Sequence, residues 1–279
     1  MVDLILDTIL DNLKLLPFLF LTYLIMEWVE HKTGNFTQKL VKRSGNFGAL
    51  IGAVAGVFPQ CGFSAAGSGL YAGRVITLGT LFAIFLSTSD EMLPVMLSEK
   101  APFPLIGQIL FLKVLIGLAA GLFIDGVMRM RGRKQELKLH ELCDHDHCHC
   151  EQGIVKSAFH HTVQVAIFIL AISFVLNCLI AWIGESAIES LFVDHGIIGC
   201  LTAGLIGLIP NCAASVMITE LYLRGVLPFG VMMSGLLTGS GVGILVLFRV
   251  NHNLRENVKI VGGLYAIGVM CGILLEMIF

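Results

Sequence analysis

The chain has 279 residues, of which 56% are hydrophobic and only 14% charged. A soluble domain carries roughly 25% charged residues, and at this length a water-soluble fold has too much surface to hide so much apolar side chain. Lipid is therefore part of the solvent. A net charge of −2 with 18 basic residues excludes an extended nucleic-acid face, and no phosphate-binding loop occurs that would supply ATP drive.

A secretory leader needs a basic stretch before its apolar core. Here Asp3, Asp7 and Asp11 precede the core, opposed only by Lys14, so the first residues read as a short surface helix feeding a membrane span. A bilayer core about 30 Å thick takes around 20 apolar residues of helix. Segments of that kind run over about 15–30, 75–97, 103–124, 158–183, 225–248 and 260–279. Two further apolar stretches, 47–73 and 196–222, are each interrupted by a proline: Phe58-Pro59-Gln60-Cys61-Gly62 and Ile209-Pro210-Asn211-Cys212-Ala213. Proline removes a backbone donor and crowds the preceding turn, so the helix breaks or kinks there.

The two interrupted stretches are copies of each other. An ungapped shift of 151 positions superposes Gly48 on Gly199, Gly56 on Gly207, Pro59 on Pro210, Cys61 on Cys212 and Ser64 on Ser215. It also carries Leu70-Tyr71 onto Leu221-Tyr222 and Gly79 onto Gly230. An ordered set of prolines, cysteines and tyrosines is not a product of apolar low complexity. The chain therefore divides into a first membrane repeat (1–124), a central loop (125–157) and a second membrane repeat (158–279).

Basic residues mark cytoplasmic loops. Lys32, Lys39, Lys42 and Arg43 lie in one loop; Arg129, Arg131, Arg133, Lys134, Lys138 and Lys156 in the central one; Arg249, Arg255 and Lys259 in a third. The loop 184–195 is acidic, with Glu185, Glu189 and Asp194. All three basic loops fall on one side only if 47–73 enters and leaves on the same face as a hairpin. The same logic makes 196–222 a hairpin entering from the other face. The expected fold is thus an all-α polytopic membrane protein of two inverted repeats, each with a Pro-broken helical hairpin, in about 8–10 membrane segments. Both tips would meet near mid-membrane, the recurring plan of secondary transporters. The location expected is the plasma membrane of a bacterial cell.

Three constellations carry chemistry. At the paired turns, Cys61 and Cys212 offer thiolate, a soft ligand for thiophilic ions. Pro59 and Pro210 free backbone carbonyls beside them, Gln60 and Asn211 add amide oxygens, and Ser64 and Ser215 lie one helical turn on. In the apolar span 75–97, Asp90 and Glu91 follow Ser87-Thr88-Ser89, and Glu220 ends the second hairpin. Intramembrane carboxylates are costly and usually face a cavity, so they are candidates for cation binding or proton coupling. The second repeat has Gly241 and Val242 where the first has Asp90 and Glu91, with Thr238 and Ser240 as polar counterparts. Only one half carries the charge.

The third constellation is the loop from His140 to Cys150. His140, Cys143, His145, His147, Cys148, His149 and Cys150 stand among Glu141, Asp144 and Asp146. So dense a set of imidazoles and thiols binds zinc-like or other thiophilic ions, though no paired Cys-x-x-Cys spacing specifies a zinc fold. His160 and His161 extend the set or anchor the interface. Arg74 and Arg224 mark the polar rim after each hairpin.

With these motifs the chain resembles the ten-transmembrane heavy-metal exporter family, a distant relation of the ArsP-type permeases for trivalent arsenicals. Its members are described as arsenic efflux proteins or manganese transporters. The likeness runs over essentially the whole chain and rests on the two Pro-x-Cys turns, the Ser87–Glu91 segment and the His/Cys loop. Counting each hairpin as two segments gives ten. The resemblance implies export of a toxic metal or metalloid and no enzymatic activity. No resident cofactor is required, and the partners are the bilayer and the metal, with proton coupling and self-association compatible. Arsenite favours thiolates and manganese favours oxygen ligands; the sequence has both. A membrane-embedded thiol enzyme using Cys61 and Cys212, or a metal-sensing channel, are the alternatives from other classes.

Overall fold

The computed structural model describes residues 48–57, 61–89, 92–130 and 196–278, the backbone alone at Cys61 and Cys212, and scattered helical positions within 16–24 and 155–175. Every regular element among the described residues is helical. In chain order these are α1 (48–56), α2 (Cys61–Ala72), α3 (Leu78–Ser87), α4 (Met92–Ser98), α5 (Phe103–Met130), α6 (Ile197–Gly207), α7 (Cys212–Leu223), α8 (Phe229–Thr238), α9 (Gly243–Val250) and α10 (Leu254–Ile278). Among the described residues, four stretches are long and apolar enough to cross a membrane: Leu78–Ser98, Phe103–Met130, Phe229–Val250 and Leu254–Ile278.

The outer surface is what lipid demands. Phe103, Phe111, Phe123 and Met130 on α5, and Met270, Leu274 and Met277 on α10, all stand exposed. In water a surface of this size would drive association. α3, α8 and α9 are almost wholly enclosed, and their side chains form the centre of the core.

The offset of 151 read from the sequence recurs in the helix starts. Cys61 and Cys212, Leu78 and Phe229, Met92 and Gly243, and Phe103 and Leu254 open equivalent helices. It recurs in the contacts as well. The Asp125 carboxylate accepts from the Gly79 amide at 2.9 Å, and the Glu276 carboxylate accepts from the Gly230 amide at 2.9 Å. Each acid sits where the positive end of a half-helix favours it. Ser87 and Thr238 each donate back to the carbonyls three and four residues earlier. After each hairpin the chain turns through the left-handed region, with Arg74 at φ 59 and Gly225 at φ 75.

Close approach of glycine-bearing faces holds these helices together, because lipid supplies little hydrophobic drive between apolar helices. A Cβ on Gly79 would lie 2.1 Å from the Gly121 carbonyl oxygen, and one on Gly207 would lie 2.2 Å from that of Gly235. α3 packs on α5, and α8 on both α6 and α10. The halves also exchange partners: α2 packs on α9, and α7 on α4.

One expectation is refined. The apolar segments 75–97 and 225–248 read as continuous spans, but each is two half-helices. α3 stops at Ser87 and α4 starts at Met92; α8 stops at Thr238 and α9 starts at Gly243. Gly239-Ser240-Gly241 is the cause in the second case, since glycine costs about 1 kcal/mol in a helix interior. Gly239 is extended and Gly241 has φ 52, which an L side chain rarely adopts.

Candidate functional site

Many of the polar side chains enclosed by this bundle are hydroxyls on the helices that meet at the breaks. Ser64, Ser68, Ser87, Thr88, Ser89, Ser215, Thr219, Ser234, Thr238 and Ser240 are all buried. In a low-dielectric interior each needs a partner or a ligand. Most bond locally: Thr88 Oγ1 donates to the Ile84 carbonyl at 2.7 Å, and Thr219 Oγ1 to the Ser215 carbonyl at 2.7 Å. Others tie one element to another. Ser89 Oγ donates to the Val57 carbonyl at 2.5 Å, fastening the break after α3 to the end of α1. Ser68 Oγ donates to the Gly243 carbonyl at 2.7 Å, joining the first hairpin to the second half.

The break between α8 and α9 is flanked from both halves. At its near end, a Cβ on Gly239 would stand 3.5 Å from Ser215 Oγ of α7. At its far end, a Cβ on Gly243 would stand 2.8 Å from the Ser64 Cβ of α2. Glycine is required at 243 because Ser64 and the Phe85 ring leave no room. Between them lies Ser240, whose Oγ is buried without a hydrogen-bond partner. The two hairpin helices thus converge on one unwound segment of four residues, 239–242. Cys61 and Cys212 are the first residues of those two helices, each three positions before its serine.

The other expected residues divide as follows. Pro210 lies between the end of α6 and the start of α7. Asn211, foreseen as an amide ligand, is the N-cap of α7, and its side-chain oxygen accepts from the Ala213 amide at 3.2 Å. Glu220 lies away from the breaks, in an exposed ion pair with Arg224 at 3.1 Å. An exposed i,i+4 pair is worth about 0.5 kcal/mol at most. Glu220→Gln is accordingly expected to leave the thermal midpoint within about 2 °C of wild type. A larger fall in a melting experiment would show that this carboxylate does more than pair on the surface. Pro59, Gln60, Asp90, Glu91, the loop from His140 to Cys150, His160, His161 and the side chains of Cys61 and Cys212 lie outside the described residues.

One polar group was missed in the sequence, and another has partners the sequence did not foresee. Lys113, in the middle of α5, is fully enclosed, and its ammonium donates to the Leu236 carbonyl at 2.6 Å. A lone lysine in an otherwise apolar span was a visible signal. Arg74, expected at the rim, is instead only 15% exposed and forms a two-pronged ion pair with Glu256, at 2.8 and 2.7 Å. The Tyr71 hydroxyl donates to the same carboxylate, and the guanidinium lies 4.8 Å above the Tyr71 ring. Glu256 opens α10, so this cluster ties the first hairpin to the second half.

A bundle of apolar helices, broken at its centre around buried hydroxyls, has the form of a membrane transporter. Residues 128–250 match the family described as "Putative, 10TM heavy-metal exporter". That is the family the motifs resemble. The match takes in the His/Cys loop, the second hairpin and the broken helix α8–α9. No curated protein and no solved structure matches the chain. The family description is that of an exporter of heavy metals, and the lipid-facing surfaces of α5 and α10 make this an integral membrane protein.

Proposed function

We propose that this chain is a secondary-active efflux permease for a heavy metal or metalloid, either a trivalent arsenical or a divalent cation such as manganese. The observation that supports it is the convergence of α2 and α7 on the unwound segment between α8 and α9, with Ser64 at one end and Ser215 at the other. Both helices begin with the cysteines of the Pro-x-Cys turns. Thiolate from Cys61 and Cys212, with backbone carbonyls of the unwound segments, supplies ligands for a soft substrate. Asp90 and Glu91 supply charge compensation or exchange a proton. The His/Cys loop gathers metal on the cytoplasmic side. The two repeats lie in opposite orientations, and rocking of one against the other opens the site to each face in turn.

Flux measured in proteoliposomes tests this, with arsenite, methylarsenite, manganese, zinc and cadmium as substrates. Wild type should move at least one of them. Cys61→Ser/Cys212→Ser should lower arsenical or cadmium flux about tenfold or more, equivalent to about 1.4 kcal/mol of lost stabilisation. Manganese flux untouched by that double substitution but abolished by Asp90→Asn or Glu91→Gln would move the binding role to the carboxylates. A protein that moves none of the five would overturn the permease reading.

A further inference from the structure

One serine occurs in both repeats and is bonded in only one of them. Ser89 and Ser240 are related by the shift of 151 positions, and each follows the first half-helix of its span. Both are buried. Ser89 Oγ donates to the Val57 carbonyl at 2.5 Å, and the Ser89 amide to the Gly56 carbonyl at 3.2 Å. The duplicated acceptor is Leu208, just past the end of α6. Ser240 Oγ bonds neither to it nor to any other atom. Among the described residues it is the one buried side-chain oxygen or nitrogen left without a hydrogen bond.

A hydroxyl in this state keeps the full desolvation cost of the group. Ser240 lies midway along Phe229–Val250, at a depth where lipid offers neither donor nor acceptor. The hydroxyl adds nothing to the packing that a methyl would not, and its cost is offset only when something bonds to it. Unmet groups of this kind are a mark of sites that bind.

The surroundings narrow the partner. Gly239, just before Ser240, approaches α7, with 3.5 Å between a Cβ built there and Ser215 Oγ. Gly243, three positions after it, abuts Ser64 of α2. Between the two glycines the chain turns through Gly241 at φ 52, and the Gly243 amide donates to the Ser240 carbonyl at 3.1 Å. Ser240 is thus fixed by its backbone on the segment where the two hairpins meet, with its side chain unused.

We infer that Ser240 Oγ contacts the exported species, as an oxygen ligand to a divalent cation or a hydrogen-bond partner to a hydroxyl of a trivalent arsenical. It thereby helps to set which substrate is taken. This rests on the permease reading above and adds to it a residue outside the paired cysteine turns. Ser89, fastened to Val57, holds the fold instead, so the two halves use one inherited serine differently.

Two measurements test this on the full chain: the KM for flux in proteoliposomes, and the substrate-free thermal midpoint in detergent. Ser240→Ala should raise the KM about fivefold or more for whichever of arsenite, methylarsenite, manganese, zinc and cadmium wild type moves. Its midpoint should equal or exceed that of wild type, because no bond is lost. Ser89→Ala, which does lose one, should melt about 2 °C lower. Should Ser240→Ala fail to fold, Ser240→Cys keeps the shape and exchanges a hard oxygen for a soft sulfur. Its KM must then rise for manganese and fall for zinc, cadmium or an arsenical. An unchanged KM in the variant that folds would overturn the inference and leave the permease reading standing. A lowered midpoint with an unchanged KM would do the same, by showing that the hydroxyl holds a structural water. A wild type that moves none of these species would overturn both.

Discussion

Gly79→Ala is expected to lower the thermal midpoint by about 6 °C or more, while Gly126→Ala on the neighbouring helix leaves it nearly unchanged. A methyl on Gly79 would fall 2.1 Å from the Gly121 carbonyl oxygen and 2.4 Å from Asp125 Cγ. Neither can move cheaply. The first is backbone of α5, and the second belongs to a carboxylate held by the Gly79 amide and, at 2.7 Å, by the Thr77 hydroxyl. α3 and α5 must part, with a cost of about 1–3 kcal/mol for overpacking and about 1 kcal/mol for the weakened cap. At about 2–4 °C per kcal/mol for a chain of this size, the midpoint falls by the stated amount. A Cβ on Gly126 meets nothing within 4 Å, and alanine is the better helix former. Equal melting of the two variants, followed by circular dichroism, would refute the tight contact. Gly230→Ala should repeat the loss, since its Cβ would lie 2.5 Å from the Gly272 carbonyl oxygen.

Breaking the Arg74–Glu256 pair should cost nearly as much. The pair is two-pronged and mostly screened from water, with side-chain exposures of 15% and 25%. Removing either member leaves the other charge half-buried, at about 2–4 kcal/mol. Arg74→Ala, Glu256→Ala and the double variant form a cycle in which the double loses clearly less than the two singles summed. A coupling of about 1.5–3 kcal/mol is expected from chemical unfolding. Strict additivity would mean that the pair contributes nothing. Because it joins the turn after α2 to the start of α10, the pair also fixes how the halves meet on that face. Its duplicated counterpart is absent: Gly225 stands at the position of Arg74 and Leu105 at that of Glu256. There Tyr222 packs edge-on against Phe229, with centroids 6.1 Å apart.

Much of the plan could be read without coordinates. Pro210 and Asn211 announced the interruption between α6 and α7, because proline cannot continue a helix and asparagine caps the next one. The 151-residue shift anticipated the equivalent helix starts. The breaks after Ser87 and after Thr238 were harder to see. Ser87-Thr88-Ser89 and Gly239-Ser240-Gly241 sit in windows so apolar that composition alone suggests unbroken spans. Hydroxyls can also bond back to their own helix, as Thr88 and Thr238 do.

The sequence by itself determined that lipid is the solvent, that the chain is duplicated, and that the second interrupted stretch divides around Pro210. Those properties are local or compositional: apolar length, proline position, the spacing of identical residues. Only the tertiary structure decided which segments face each other. Ser64 and Ser215 meet one break because α2 and α7 come from different halves, 151 residues apart. Lys113 finds the Leu236 carbonyl 123 positions away, and Arg74 finds Glu256 at a distance of 182. No local pattern encodes such partners. They follow from which glycine faces let backbones touch, and that is settled only when the whole bundle packs.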